Sequence, residues 1–320
     1  MKALRLMMSM LLRRPVLCLW QVTGRCPFSC RICDFWRDDC ADLDIAACER
    51  IVRALRGIAP LMLTLAGGEP FLRDDLPDLV RLGARDHYCS VVTNGYLVTR
   101  DNARAVWQAG LQDAVVSLDF ANPDRHDDQR GHEGAFSRAL LAAEHFQATR
   151  PKKANKVRIN AVVMEENRDE LEGLLLLAEE LDVGVSFTLY SDRLGKKAQR
   201  RPEAPIAPYL RALRARHPGR IDSPSAYLAK FDAAPGKTGA CAGGRTFFNI
   251  NPLGQLSRCI DRNDESLLDL QMASAKAVRK ALRTKHGECT ACFTACRALG
   301  DVSTGLRGLP AAVENARIRL

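Results

Sequence analysis

The sequence predicts an α/β fold in which six βα units form an open, partial barrel of the TIM type. Short apolar runs, typical of buried strands, occupy residues 16–22, 61–66, 89–93, 114–119, 157–163 and 184–190. Helical periodicity occupies the segments between them, at residues 43–57, 74–85, 101–109, 134–147 and 168–181. Such alternation requires parallel strands covered by helices. Six units rather than eight predict a barrel that does not close.

Length and composition agree with one large domain and one small one. The chain has 320 residues, of which 47% are hydrophobic, and can therefore bury a large core. We expect a basic amphipathic segment at 1–15 and the barrel at 16–200. A basic, proline-rich connector at 201–240 and a cysteine-rich extension at 241–320 would follow.

Three cysteines follow the first predicted strand at CxxxCxxC spacing: Cys26, Cys30 and Cys33. A 4Fe–4S cluster usually takes four thiolates, so three closely spaced ones predict a cluster with one iron left open to a substrate or cofactor. The alternative is zinc, although zinc sites favour CxxC pairs or mixed Cys/His sets and no histidine lies nearby in the sequence.

Further motifs follow the later strands, where parallel barrels carry their chemistry. They are Gly67-Gly68-Glu69, Thr93-Asn94-Gly95, Ser117-Leu118-Asp119 and residues 126–131 and 134–136. In this order and spacing, together with the cysteine loop, they resemble the radical S-adenosylmethionine (SAM) superfamily over residues 15–195. Ile32 departs from the pattern of the family, in which many members carry an aromatic residue.

The resemblance implies the cofactors and the chemistry. Cys26, Cys30 and Cys33 would hold a 4Fe–4S cluster whose fourth iron binds SAM. One-electron reduction would then cleave SAM to a 5′-deoxyadenosyl radical that abstracts hydrogen from a substrate. An external electron donor of the flavodoxin or ferredoxin kind is implied as well. The cofactor carries this chemistry, and the barrel positions it and excludes water.

The resemblance also implies which residues bind SAM. Gly67 and Gly68 would let the backbone approach SAM closely, with Glu69 near its amino group. Arg130, which offers a charge-assisted fork, would bind the SAM carboxylate. Ser117 would share that role, and Asn94 would steady the ribose or the loop. The alternatives are a plain tight turn for the glycines and a solvated surface charge for Arg130.

A second cysteine group begins after residue 240. Residues 246–250 and 255–259 flank a turn with proline and glycine and predict a β-hairpin. Cys241 and Cys259, with Gly254 between them, resemble the SPASM/Twitch extension of radical SAM enzymes. That resemblance implies one auxiliary 4Fe–4S cluster, a Twitch-like arrangement, because five cysteines cannot supply two clusters. Its ligands would be Cys241, Cys259, Cys289 and Cys292, with Cys296 as the alternative ligand or a spare.

Zinc remains an alternative at this group, since four thiolates suit it equally. An auxiliary redox centre could accept the electron left when a substrate radical is oxidised. Asp261, two residues past Cys259, or Asp192, at the end of the sixth strand, could accept the accompanying proton. Either carboxylate could instead be an ordinary surface group.

Most of the net charge of +9 comes from residues 191–220, which hold nine Lys or Arg against two acids. The segment is either a solvated surface or a dock for an acidic partner, such as a phosphorylated substrate, a leader peptide or an anionic membrane. Nucleic acid is not favoured, because no binding module or aromatic platform accompanies the charge.

The first fifteen residues are apolar and basic, without acids. They are too few to span a bilayer. They would either rest on a membrane surface, which would suit a lipid-like substrate, or form a helix that caps the open bottom of the barrel. No secretory signal is evident, and clustered cysteines fit a reducing compartment. We therefore expect a cytoplasmic protein, peripheral to the membrane in the first case.

The sequence thus predicts a radical SAM enzyme with one auxiliary cluster, acting on a peptide or protein, or oxidising or epimerising a small molecule such as a sugar or lipid. The lack of an extended segment before the first strand weakens the expectation of a peptide substrate. Two other classes of function stay open. One is a nonenzymatic iron–sulfur protein for electron transfer, and the other is a zinc-stabilised nucleic-acid binder.

Overall fold

Six parallel strands form the framework of the computed structural model, which describes residues 2–37, 40–58, 60–191, 201–233, 241–263, 265–284, 295–302 and 314. The strands are β1 (Leu17–Thr23), β2 (Met62–Gly67), β3 (Tyr88–Thr93), β4 (Asp113–Ser117), β5 (Lys156–Val163) and β6 (Gly184–Leu189). All six lie within two residues of the predicted runs, and the predicted α/β fold is confirmed.

Helices precede β1 and connect the strands. They are α1 (Lys2–Leu11), α2 (Ile45–Leu55), α3 (Leu76–Ala84), α4 (Arg100–Gln108), α5 (Pro123–Arg130), α6 (Ala135–Thr149) and α7 (Leu171–Glu180). Of these, α2, α3, α4, α6 and α7 pack on one face of the sheet. Alternate strand residues such as Trp20, Leu65, Val91 and Val116 point toward these helices and form the main core. The opposite face of the sheet is the inner face of the barrel.

The C-terminal part continues the same sheet. β7 (Phe247–Ile250) pairs in parallel with β1, β8 (Gln255–Ser257) pairs antiparallel with β7, and β9 (Leu268–Asp269) pairs with β8. The strand order is β6-β5-β4-β3-β2-β1-β7-β8-β9. The predicted hairpin is therefore confirmed, and it extends the sheet of the barrel at β1. The other helices in the described residues are α8 (Ala207–Arg216), α9 (Ser225–Leu228), α10 (Ala275–Ala281) and α11 (Ala295–Val302).

α5 is a helix that hydrophobic periodicity does not predict, because it carries no apolar stripe. Its ends explain it. The Asn122 side chain accepts the backbone N–H of Arg125 at 3.0 Å, Pro123 occupies the first turn, and Gly131 ends the helix at a φ of 62°. Its last turn lies on the cysteine loop, where the Arg31 N–H donates to the Gln129 carbonyl at 3.0 Å.

α1 closes the amino edge of the sheet, which is the edge where the parallel strands begin. Leu6 and Met10 pack against Leu17 and Phe247, the first residues of β1 and β7. Lys2 donates to the carbonyls of Ala84 and His87 at 2.6 and 3.2 Å. This agrees with the predicted helix across the bottom of the barrel. None of the described helices is long and apolar enough to cross a membrane.

Candidate active site

The predicted motifs lie together at the carboxyl edge of the sheet, where β1–β6 end. The cysteine loop follows β1, Gly67–Glu69 lie at the end of β2, and Asn94 follows β3. Ser117 is the last residue of β4, and Arg130 is the last residue of α5. Because parallel strands deliver their carboxyl ends to the same edge, segments far apart in sequence meet at one place.

Cys26, Cys30 and Cys33 share a small apolar cluster with Phe28, Ala135, Ile32 and Tyr96. Burial, opposed by the Phe28 N–H, raises the pKa of the Cys26 thiol to about 12, and negative charge on Glu69 or on the other two thiols raises it further. Burial also raises the pKa of Cys30. The thiolate forms of Cys26 and Cys30 are therefore disfavoured unless a cation lies beside them, as metal binding supplies.

Aromatic rings pack against one another at the cysteine loop. The Phe28 ring lies 4.6 Å from the His132 ring and 5.5 Å from the Tyr96 ring, measured between centroids, and His132 lies 4.4 Å from Tyr96. Such contacts fix ring positions beyond what burial alone does. The cysteine loop is thus tied to the segments that follow β3 and α5.

Arg130 lies between Cys30 and Asp119. It donates to the Cys30 sulfur, and its Nη2 lies 2.7 Å from Asp119 Oδ2. Burial opposes the charged form of Arg130, but Asp119 and Cys30 outweigh it and raise its pKa. Asp119 is itself completely buried. The interpretation of Arg130 as a solvated surface charge is wrong, since the residue is 8% exposed.

Asp119 is a residue to which the motifs gave no role. Its Oδ1 accepts the Val162 N–H at 2.9 Å, and its carbonyl accepts from the Asn167 side chain at 2.7 Å. Burial raises the pKa of Asp119, and Arg130 opposes the rise. The available signal was its position: a carboxylate directly after the buried strand β4.

Glu69 joins the loops after β2 and β3. One carboxylate oxygen accepts from the Phe71 N–H at 3.0 Å and the Thr93 hydroxyl at 2.7 Å, and the other accepts from the Asn94 N–H at 2.7 Å. Burial raises its pKa to about 7, against the lowering effect of these donors and of Arg130. Its predicted contact with the SAM amino group stays a prediction.

Gly67 and Gly68 permit a close approach of two backbones. Gly67 has a φ of +131°, and a Cβ on Gly68 would overlap the Arg25 carbonyl. The Gly68 N–H donates to the Thr23 carbonyl at 2.9 Å, and the Glu69 N–H to the Arg25 carbonyl at 2.8 Å. The two glycines therefore bind the β2 loop to the start of the cysteine loop.

Asn94 contacts the loop that it was predicted to steady. Its side-chain Nδ2 lies 3.9 Å from the Cys26 sulfur, and its Oδ1 accepts the Tyr96 N–H at 2.9 Å. Ser117 is half-buried at the end of β4, on the inner face. The binding of SAM by Asn94, Ser117 and Arg130 stays a prediction.

The described members of the second cysteine group lie at the amino edge. Cys241, Cys259 and Cys296 all pack against the cluster formed by Leu6, Met10, Val16, Leu17 and Phe247. The Gly243 N–H donates to the Cys241 sulfur at 3.3 Å. Cys296 also lies near the buried Cys18, since its charge raises the Cys18 pKa further after burial. Cys289 and Cys292 lie outside the described residues.

The two cysteine groups are thus separated by the length of a strand. Cys241 precedes β7 and Cys259 follows β8, so both lie where β1 begins, whereas Cys26 follows the end of β1. The seven residues of β1 span about 20 Å.

No three Cys, His, Asp or Glu side chains in the described part of the chain converge on a point where one metal ion would bind. A 4Fe–4S cluster takes one thiolate per iron, so its ligands need not converge in this way. Three thiols lie at the carboxyl edge, and the Arg130 guanidinium lies beside one of them, Cys30. This set fits a 4Fe–4S cluster with one iron left open.

The inner face between the two groups carries hydroxyls and amides. The Thr64 and Ser90 hydroxyls are 2.9 Å apart, and Ser186 donates to the Asn160 side chain at 3.1 Å. Near β7, the side chain of Asn249 donates to Gln21 and Ser257 at 3.3 and 3.2 Å. Gln21, Asn249 and Ser257 are fully buried, and an ion pair between Arg158 and Asp113 lies on the same face near the amino edge. The half-buried hydroxyls and amides of Thr64, Asn160 and Ser186 suit a substrate that forms hydrogen bonds.

Asp261 lies in a short 3₁₀ turn, Ile260–Arg262, directly after Cys259. Its predicted role as a proton acceptor stays a prediction. Asp192 lies outside the described residues, as do Arg193, Lys196, Lys197 and Arg200 of the basic segment.

The described part of the basic segment is largely paired within the protein. Arg216 contacts Glu172 at 2.8 Å, Arg220 contacts Asp182 at 3.0 Å, and Arg214 contacts Glu314 at 2.9 Å. These pairs neutralise much of the charge around α8, which favours a solvated surface. The domain limits at 200 and 240 stay predictions, since both fall at residues outside the description.

The sequence profile of the radical SAM superfamily matches residues 20–178, the segment that contains the end of β1, the cysteine loop and β2–β5. The chain belongs to the radical SAM superfamily. It is 32% identical over 172 residues to the AdoMet-dependent heme synthase of Methanosarcina barkeri. The aligned region covers 52% of this chain and 48% of that protein. It is 30% identical over 171 residues to the PqqA peptide cyclase of Ruegeria pomeroyi, with 52% and 45% covered.

The chain therefore spans about half the length of these curated relatives. Among solved structures, Streptococcus suis SuiB bound to S-adenosylmethionine superposes with a TM-score of 0.65 at 18% identity, over 81% of this chain and 63% of SuiB. SuiB bound to its precursor peptide SuiA superposes with a TM-score of 0.63 at 18% identity, over 92% and 72%. At this identity the radical SAM chain and SuiB share a fold.

Proposed function

We propose that this radical SAM protein is an enzyme that cleaves SAM reductively at the carboxyl edge of its sheet and oxidises a substrate held inside the barrel. One auxiliary 4Fe–4S cluster at the amino edge would accept the electron left on the substrate. Cys26, Cys30 and Cys33 would hold the first cluster. Cys241, Cys259 and Cys289 would hold the second, together with either Cys292 or Cys296.

The observation that carries this proposal is the position of the two cysteine groups. The loop with Cys26 and the described cysteines of the second group, Cys241, Cys259 and Cys296, lie at opposite edges of one sheet, about 20 Å apart, with the inner face between them. A substrate in that space would have a hydrogen-abstracting group above it and an electron acceptor below it. A purely structural metal site gives no reason for this arrangement.

When bound, the first cluster and SAM supply a 5′-deoxyadenosyl radical that abstracts a hydrogen atom. The residues of the chain would position this chemistry. Arg130, held by Asp119, would bind the SAM carboxylate, while Glu69 fixes the loops that surround SAM. Asp261 would accept the proton when the substrate loses its electron.

A peptide is the substrate class that we propose. Relatives named for peptide chemistry support it, namely the PqqA peptide cyclase and SuiB with its precursor peptide. The inner face supports it as well, because backbone amides can form hydrogen bonds with its half-buried hydroxyl and amide side chains. An oxidation or cross-link in a peptide made by the ribosome is the corresponding reaction.

A small molecule is the second candidate, and the similarity to the AdoMet-dependent heme synthase favours it. The two candidates differ in what the enzyme consumes. A peptide encoded beside the gene should lose about two mass units per oxidation on coexpression, since two hydrogens leave. Unchanged mass of every such peptide, with SAM cleavage intact, would favour the small molecule.

Anaerobic reconstitution tests the proposal. We expect about eight irons per chain and formation of 5′-deoxyadenosine when SAM and a strong reductant are added. The C26A/C30A/C33A variant should retain about four irons and form no 5′-deoxyadenosine. Zinc analysis of the same samples distinguishes a zinc site at the second group.

Three outcomes would contradict the proposal in different ways. About four irons with intact cleavage would leave the enzyme but remove the auxiliary cluster. A fully loaded protein that does not cleave SAM would instead indicate a nonenzymatic electron-transfer protein. Zinc alone, with binding to nucleic acid, would indicate the third class.

A further inference from the structure

α1 has a second apolar face that the fold leaves exposed. Leu6 and Met10 are buried against the sheet, whereas Leu4, Met7, Met8 and Leu12 are 59%, 44%, 51% and 56% exposed. At about 100° per residue, Leu4 and Met8 lie opposite Leu6, and Met7 and Leu12 flank them on either side. Leu12 directly follows the last residue of α1. A helix that only closes the barrel needs one apolar face, so the exposed stripe needs another explanation.

The charges around the stripe have one sign. Arg5, Arg13 and Arg14 are exposed beside it, and the first acidic residue of the sequence is Asp34. Asp86 lies near α1 in the fold, next to His87, but it is paired with Arg56 at 2.9 Å. The surface around α1 is therefore basic, and an anionic surface is its electrostatic complement.

From this we infer that α1 is an interfacial helix that docks the protein on an anionic membrane. The stripe of Leu4, Met7, Met8 and Leu12 would enter the boundary between headgroups and acyl chains, and Arg5, Arg13 and Arg14 would contact the lipid phosphates. An aliphatic stripe that runs along the helix between arginines has the composition of helices that lie in a membrane interface. This inference does not depend on the proposed function.

The position of α1 has a consequence for access to the barrel. α1 contacts the amino edge, where Leu17, Met62 and Tyr88 begin their strands, and the cysteine loop lies at the other edge. A membrane under α1 would leave the loop with Cys26 facing the aqueous side. The substrate then enters from water, and the membrane holds the enzyme without supplying a lipid to the site.

Vesicle flotation of the full-length, reconstituted protein tests this inference. The probes are phosphatidylcholine vesicles with and without phosphatidylglycerol. We expect flotation with the anionic vesicles only, and its loss at high salt because exposed charges are screened. Arg5→Gln with Arg14→Gln should weaken partitioning about fivefold for each arginine removed.

The stripe is tested by the L4S/M8S/L12S variant, which should weaken partitioning more than about tenfold. Leu176→Ser is the matched control, because Leu176 is an aliphatic residue on α7 with 51% exposure, and it should float like the wild type. All four positions are exposed, so an unchanged melting temperature and iron content should accompany these effects.

Four results would overturn the inference. The first is a wild-type protein that does not float with the anionic vesicles, and the second is a stripe variant that floats as well as the wild type. The third is a dimer, seen by light scattering, that the stripe variant converts to a monomer, in which case the stripe covers a second copy. Binding of an acidic redox protein that requires the stripe, without flotation, would assign the surface to that partner.

Discussion

At Cys30, a thiol that would carry iron lies beside a guanidinium group that a buried carboxylate holds in place. Asp119 is fully buried, and Arg130 is 8% exposed. Removing one partner from such a pair leaves an uncompensated buried charge, which costs far more than the loss of a surface pair. The geometry around Cys30 therefore depends on a residue that contacts no cysteine.

Asp119→Asn should lower the free energy of unfolding by about 3 kcal/mol, because Arg130 keeps its charge and loses its partner. Urea unfolding measures this. Asp128→Asn is the control, since Asp128 pairs with Arg31 on the same side of the molecule but is 59% exposed, and it should cost less than about 1 kcal/mol. Equal losses in the two variants would contradict the assignment of Asp119.

His87 makes stability depend on pH. Its ring is fully buried, and Nδ1 accepts the Leu61 N–H at 3.1 Å. Burial lowers its pKa to about 4, Lys2 and Arg56 add to this, and Asp86 opposes it. Because the unfolded chain binds a proton near pH 6.5 and the folded chain does not, this stability is complete above pH 6.5. It is lost as the pH falls toward 4.

Between pH 6.5 and 4, His87 should cost the protein about 3 kcal/mol of unfolding free energy. His87→Gln keeps an acceptor for the Leu61 N–H without a titrating group. The difference in unfolding free energy between wild type and variant should therefore shift in favour of the variant as the pH falls. A difference that stays constant with pH would show that His87 does not titrate in this range.

At the scale of the element, the loops after β1 and β2 form one unit. Backbone hydrogen bonds join Gly68 to Thr23 and Glu69 to Arg25 at 2.9 and 2.8 Å. Neighbouring parallel strands need not have interlocked loops, and here the absence of a side chain at Gly68 permits the contact. The cysteine loop is therefore positioned by β2 as well as by β1.

Gly68→Ala should displace the start of the cysteine loop, because its Cβ would overlap the Arg25 carbonyl. We expect a loss of about 2 kcal/mol or more and a lower iron content at the first cluster. Gly219→Ala is the control. Gly219 has a φ of +79° with nothing within 4 Å of the added Cβ, so it should cost about 1 kcal/mol and leave the iron content unchanged.

The elements also show where periodicity is informative. The run 157–163 predicts β5, and the segment 168–181 predicts α7, which begins at Leu171. α7 begins later than the predicted segment because the Asn167 side chain accepts the Met164 N–H at 2.9 Å and donates to the Asp119 carbonyl. These bonds keep residues 165–170 in a 3₁₀ turn. A side chain that bonds across loops overrides a helical pattern.

At the scale of the whole molecule, the C-terminal hairpin belongs to the sheet of the barrel. β7 pairs with β1 from Leu17 to Trp20, and this pairing places Cys241 and Cys259 at the amino edge. If the two cysteine groups act independently, replacing the cysteines of one group should remove only the iron bound by that group and the reaction step that depends on it.

The C241A/C259A variant should retain about four irons and still form 5′-deoxyadenosine, since SAM would be cleaved at the other edge. It should form little oxidised product. Iron analysis and product assays on one preparation measure both effects. Loss of all iron, or of 5′-deoxyadenosine formation, would show that the two sites are not independent. The single variants C292A and C296A should then be compared. The variant with the lower iron content identifies the remaining ligand.

The sequence by itself determined the six parallel strands, the covering helices, the hairpin and the loop of three cysteines, because these depend on residues close together in the chain. Strand periodicity places polar groups after strands, and parallel strands bring those groups to one edge. Only the tertiary structure decided that Asp119 meets Arg130 beside Cys30, that Glu69 joins two loops, and that Cys241 and Cys296 pack against the same apolar cluster as α1. These contacts join residues distant in sequence, and they depend on strand order, register and side-chain direction, which no local pattern encodes.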